Sequence, residues 1–207
     1  ELSYHRPESP TYLELHMSPF PPDSKAYGDC NQFFADVLSR TIRVQVEDVS
    51  LRTLEETDHL LYLICHAYKH FLHAGVGIRQ VCDMALMAQR DGGEIDWMRI
   101  VEACRELRIE YFAAALFRIC ERQLGFAMPE AFQAFEVDES ALLEDILSGG
   151  LYGVKDLDRA HSSTMTLEAA AAGKSGRRRR GALHSVFLPL KDMEGHFPYL
   201  RDKPWLL

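Results

Sequence analysis

The segment SLRTLEETDHLLYLICHAYKHFLHAG, residues 50–75, decides the fold class, because its apolar residues recur with the spacing of a long amphipathic helix. Thr53 followed by Glu56 has the pattern of a capping box, so we expect the helix to begin there and to end at Gly75. At 100° per residue, the polar residues fall on one narrow stripe of a broad apolar surface. The residues of this polar stripe are His59, Tyr62, His66, Lys69, His70 and His73.

Four more helical segments follow this one, each with its own stop or start signal. The second extends from about Ile78 to Arg90 and is stopped by two glycines, and Asp96 is placed to cap the third, WMRIVEACRELR. The fourth, EYFAAALFRICERQLG, ends at Gly125, and DESALLEDILSG forms the fifth. Short connections between helices indicate antiparallel, packed neighbours.

The N-terminal part has the period of β-strands. TYLELHM (11–17) and IRVQV (42–46) alternate apolar and polar residues, and CNQFFADVLSRT between them predicts a short helix. Two or three strands do not form a stable sheet alone, so we expect them to complete a sheet supplied by upstream chain or to pack on the helices. The predicted fold is α+β and mostly α, an antiparallel helical bundle with a small N-terminal β-flank.

Composition divides the chain into four regions. Residues 1–52 have the pattern of strands and loops, and residues 53–150 are predicted to be helical throughout. Residues 151–182 are small and polar and contain the run Arg177–Arg180, which is typical of a flexible, solvated insertion. Residues 183–207 are apolar again and are expected to pack on the helical domain.

Global composition excludes several classes of protein. No apolar run reaches the roughly 18 residues of a membrane span, and no signal core is present, so we expect no membrane and a cytoplasmic location. Five cysteines without a CxxC pair favour reduced thiols. A net charge of −8 gives no general attraction to a polyanion, which disfavours nucleic acid as a partner. The first residue, Glu1, and the apolar ending KPWLL predict a fragment of a longer chain.

The polar stripe has three interpretations. His66 and His70 have the i, i+4 spacing of a metal-binding pair, but the glutamate of HExxH is absent and Lys69 would repel the ion, which disfavours zinc. Alternatively, Lys69 and Arg79 supply positive charge for a phosphate, and Asp83 would orient Arg79. In that case the turn GVGIRQ would add free backbone N–H groups. Thirdly, the stripe is internal polar packing without a ligand.

Four segments carry a resemblance to a known family: YLELHMSPF (12–20), LLYLICHAYKHFLHAGVGIRQVCDMALM (60–87), IDWMRIVEACRELRI (95–109) and LFRICERQLGFAMPE (116–130). Together they resemble the bacterial family usually called uncharacterised nucleotidyltransferases, and the tail HFPYLRDKPWLL is similar to its closing segment. The resemblance implies a fold like that of DNA polymerase β, with three carboxylates that hold two Mg²⁺ ions, followed by a helical domain. It thereby implies that residues 1–52 are the strand-bearing end of the catalytic domain and residues 53–150 the helical substrate domain.

The resemblance also implies roles for individual residues. Glu14 matches the third carboxylate, which makes it a catalytic residue and, with His16, a metal ligand. The implied substrates are a nucleoside triphosphate and an unknown hydroxyl acceptor. The residues implied to bind substrate and phosphate are His66, Lys69, His70, His73, Arg79 and Asp83.

The GG/GS…DxD element of such enzymes is not found in this sequence. GGEID (92–96) lacks the helical turn between its glycines and its acids. We therefore expect the first two carboxylates to come from an upstream segment of the same protein, and this chain to be inactive alone. The alternative is a non-catalytic helical module that binds a protein partner.

Overall fold

The computed structural model describes residues 2–5, 8, 12–20, 29–73 and 75–151. Most of these residues are helical, and the predicted α+β, mostly α class is confirmed. The predicted insertion at 151–182, apart from residue 151, and the segment 183–207 lie outside the described residues. The strands are β1 (Leu2–His5), β2 (Tyr12–Leu15), β3 (Ile42–Val46) and β4 (Val49–Thr53), and the helices are α1 (Glu56–His73), α2 (Ile78–Asp91), α3 (Trp97–Leu107), α4 (Glu110–Leu124), α5 (Glu130–Gln133) and α6 (Ser140–Gly149).

The strands form two separate antiparallel hairpins within the described part of the chain. In the first, β1 pairs with β2 from Leu2↔Leu15 to His5↔Tyr12, and in the second, β3 pairs with β4. The strand predicted at 42–46 is confirmed, and the one predicted at 11–17 is shorter, at Tyr12–Leu15. The predicted helix between them is two short 3-10 helices, Cys30–Phe34 and Val37–Ser39.

The start of α1 differs from the predicted capping box. Thr53 is the last residue of β4 and pairs with Ile42, so the hairpin removes it from the helix terminus. Glu55 takes over the cap, since its Oε2 accepts the N–H of Thr57 and its Oε1 the N–H of Asp58, both at 3.0 Å. The prediction of a Thr53–Glu56 capping box is therefore wrong.

The apolar surface of α1 packs into the core of the bundle. Leu60, Leu61 and Ile64 are completely buried, and the ring of Tyr68 meets that of Phe112 in α4 at 5.0 Å between centroids. All five cysteines have reduced thiols, as predicted, and four of them are buried in or beside this core. In the part of the chain that the structure describes, no helix has both the length and the apolar composition needed to cross a bilayer.

A buried carboxylate ties the second hairpin to the bundle. Asp58 on α1 has no exposed surface, and its Oδ2 accepts a hydrogen bond from Arg40 Nε at 2.8 Å. Its Oδ1 accepts from Arg99 Nη2 on α3, and Arg99 also contacts Glu55 at 3.1 Å. Because Arg40 lies two residues before β3, these ion pairs fix β3 and β4 relative to α1 and α3.

Candidate functional site

The chain that leaves β2 is anchored on α1 through Phe20. The ring of Phe20 is 1% exposed and lies 5.5 Å from that of Tyr62 and 5.8 Å from that of Phe34. Asn31 holds the backbone, because its Oδ1 accepts the N–H of Phe20 at 3.1 Å and its Nδ2 donates to the carbonyl at 2.9 Å. The segment that contains Glu14 and His16 is thus attached close to the helix of the polar stripe.

Two histidines of the polar stripe contact each other directly. His66 Nε2 and His70 Nε2 are 3.1 Å apart, a hydrogen bond that requires one of the two nitrogens to carry a proton. Tyr62 stacks on His66 with ring centroids 5.3 Å apart and an interplanar angle of 18°. The ring of His66 is therefore in contact with both Tyr62 and His70.

Burial, with the positive charges of neighbouring groups, lowers the pKa of His66. The pKa falls from the ordinary 6.5 to about 4, first through desolvation and then through the charges of His70, Lys69 and His16. His66 is consequently a neutral imidazole at neutral pH. His16, which follows β2, makes the smallest of these contributions to the lowered pKa of His66.

This lowered pKa predicts a specific pH dependence of stability. Between pH 6.5 and 4 the unfolded chain binds more protons at His66 than the folded chain, so stability falls as the pH is lowered through this window. We expect His66 to account for about 1–2 kcal/mol of the loss, a value reduced for its partial exposure. Urea unfolding at pH 7 and pH 5 tests this, and the His66→Gln variant should show the smaller difference. Equal pH differences in variant and wild type would contradict it.

The turn that opens α2 is less available to an anion than the sequence suggests. The N–H of Gly77 donates to Gln80 Oε1 at 2.6 Å, and the N–H of Ile78 donates to the carbonyl of Gly150 at 3.3 Å. The expectation that GVGIRQ presents free N–H groups is therefore wrong at these two positions, because Gln80 and Gly150 accept their hydrogen bonds. The side chain of Arg79 is exposed at this end of α2.

Asp83 lies at a cavity of about 630 Å³ between α1 and α2. Leu63 and Leu86 form apolar walls of this cavity, and His59 and Arg90 add polar groups to it. Desolvation first, then the charge of Arg90, lowers the pKa of His59. The sequence pattern placed His59 on the polar stripe but did not assign it to the site. Its proximity to Arg90 depends on how α1 and α2 pack, which the local sequence pattern does not indicate.

The structure brings some of the predicted site residues together and leaves others untested. His66 and His70 are in contact, with His16 and Lys69 near them. The side chains of Glu14 and His73 are outside what the structure describes, so their roles stay predictions. No three His, Cys, Asp or Glu side chains cluster as a metal site among the described residues. His66 and His70 hydrogen-bond to each other in this structure.

Comparison with known proteins gives one match. A family model described as an uncharacterised nucleotidyltransferase matches residues 1–125. The matched range includes both hairpins, α1 to α4 and every residue of the candidate site. No curated protein matches the chain, and no solved structure does.

Proposed function

This chain belongs to the uncharacterised nucleotidyltransferase family, as its sequence resemblance indicated, and on that premise we propose that it takes part in transfer of a nucleotidyl group from a nucleoside triphosphate to a hydroxyl acceptor. In this proposal the chain supplies the last strands of the catalytic sheet and a helical substrate domain. The supporting observation is that Phe20 anchors the β2 segment on α1, with His16 in electrostatic range of His66. The strand that contains Glu14 and the polar stripe would then border one shared hollow.

The proposal assigns the metal to Glu14. Carboxylate oxygens are the ligands that Mg²⁺ prefers, whereas an imidazole nitrogen is a poor ligand for it. Of the two residues predicted as ligands, Glu14 therefore fits the ion, and His16 is better suited to face the phosphates. When bound, Mg²⁺ would stabilise negative charge on the reacting phosphate and the leaving group. The remaining carboxylates would come from an upstream segment of the protein.

The polar stripe would bind the triphosphate through side chains. Lys69 carries a permanent positive charge and is half-buried, which strengthens its attraction for a phosphate oxygen. The hydrogen bond between His66 and His70 fixes both rings, so the imidazole that accepts it would present its Nδ1–H to a phosphate with little loss of side-chain entropy. Arg79 would add a second cation, and Asp83 would line the adjoining cavity with His59.

The proposed function is tested by measuring the affinity for ATP, GTP, CTP and UTP with Mg²⁺ and with EDTA. We expect saturable binding of at least one triphosphate that strengthens with Mg²⁺. Glu14→Gln should remove the Mg²⁺-dependent part and leave the metal-free affinity unchanged, because the stripe is intact. No binding of any triphosphate, or identical affinity in EDTA, would contradict the proposal.

The second candidate is a non-catalytic module that binds a protein partner. Two observations favour it. His66 and His70 hydrogen-bond to each other, and the N–H groups of Gly77 and Ile78 already donate to acceptors within the chain. Both are what internal polar packing would produce. This candidate predicts that a His66→Gln/His70→Gln variant loses stability while the wild type binds no nucleotide at all.

A further inference from the structure

The second hairpin has an exposed outer strand. The first four residues of β4 are exposed, and its side chains Val49 and Leu51 retain 51% and 48% of their accessible surface. Among the described residues, no third strand pairs with either edge of this hairpin. An isolated two-stranded hairpin is marginally stable, and a free strand edge exposes unpaired N–H and C=O groups.

The charges of the hairpin are arranged in an unusual way. Arg43 and Arg52 face each other across the two strands, where like charges destabilise a hairpin. Both side chains are exposed, and neither forms an ion pair with any residue that the structure describes. The turn contains the opposite charges, Glu47 and Asp48. The hairpin is therefore basic toward its base and acidic at its tip.

We propose that the free edge of β4 pairs with β4 of a second copy of this chain, antiparallel and about a two-fold axis. With Ser50 of the two copies opposite each other, Val49 lies opposite Leu51 of the second copy. In the same register Asp48 lies opposite Arg52 of the second copy. Each pair occurs twice by symmetry. One register therefore pairs the N–H and C=O groups of the edge, places exposed apolar side chains next to each other and gives each Arg52 an acidic partner.

A second copy fits this edge better than nucleic acid. The acidic tip would repel phosphates, and the net charge of −8 gives no general attraction to a polyanion. The tip and the base of one hairpin are instead complementary to those of its own copy. Because the paired strands are only five residues long, the dimer is weak and depends on concentration.

Sedimentation velocity over a series of protein concentrations tests this dimer. The wild type should form dimers as the concentration rises, and Asp48→Arg or Arg52→Asp alone should raise the dissociation constant about tenfold, because each places two like-charged pairs across the axis. The double variant Asp48→Arg/Arg52→Asp should recover dimerisation. Circular dichroism verifies that each variant is folded.

Three results of the sedimentation experiment would overturn this assignment. The first is a wild type that stays monomeric up to millimolar concentration, and the second is a dimer that the single variants do not weaken. The third is a double variant that fails to recover. Binding of a DNA or RNA oligonucleotide that depends on Arg43 and Arg52 would assign the surface to nucleic acid instead. None of these results depends on nucleotide binding at the polar stripe.

Discussion

Asp58→Ala is expected to lower the free energy of unfolding by about 3 kcal/mol, the largest effect on stability predicted for this protein. The substitution leaves the guanidinium groups of Arg40 and Arg99 without their shared buried carboxylate. Removal of one partner from a buried ion pair costs about 3–5 kcal/mol, and the lower end applies because each arginine side chain is 35% exposed and gains water. Urea denaturation at pH 7 measures the change.

A surface ion pair provides the matched control. Arg90 contacts Asp91 at 2.6 Å, but its side chain is 77% exposed. Arg90→Ala should therefore lower the free energy of unfolding far less than Asp58→Ala does. If Asp58→Ala costs no more than Arg90→Ala, the ion pairs of Asp58 do not hold the second hairpin on the bundle.

Lys69→Ala is expected to weaken the binding of Mg²⁺·nucleoside triphosphate at least about tenfold. A hydrogen bond between a charged donor and a phosphate contributes about 1.5–3 kcal/mol, which corresponds to a factor of about 10 to 100 in affinity. Lys69→Arg should retain part of the affinity, because it keeps the charge but changes the donor geometry. Equilibrium dialysis with labelled nucleotide measures these differences.

Arg43→Ala is the control for Lys69. It removes one exposed positive charge from the second hairpin, so it changes the net charge by the same amount without changing the stripe. Its affinity should match that of the wild type. If Lys69→Ala binds nucleotide as tightly as Arg43→Ala, Lys69 does not contact phosphate.

The helices could be predicted from the sequence because their signals are local. The apolar spacing of α1 and the C-terminal glycine of α4 are properties of neighbouring residues, and both predictions agree with the structure. The capping box failed because Thr53 pairs with Ile42, eleven residues earlier, and strand pairing took precedence over a local pattern. Glu55 then capped the helix in its place.

The candidate site was predicted less completely, for a related reason. Its contacts join distant parts of the chain. For example, the carbonyl of Gly150 accepts a hydrogen bond from the N–H of Ile78. The spacing of His66 and His70 placed them on one face, but it did not indicate that they hydrogen-bond to each other. The cavity of His59, Asp83 and Arg90 likewise depends on how α1 and α2 pack.

The most direct measurement uses nucleoside triphosphate with Mn²⁺, whose paramagnetism broadens NMR signals of nearby groups. If the β2 segment and the polar stripe border one binding hollow, the imidazole signals of His16, His66 and His70 should broaden together. Trp97 lies at the start of α3, and its indole N–H donates to the carbonyl of Gly92. The signal of this N–H should stay sharp. Sharp imidazole signals from all three histidines, at nucleotide concentrations that saturate binding, would contradict the account.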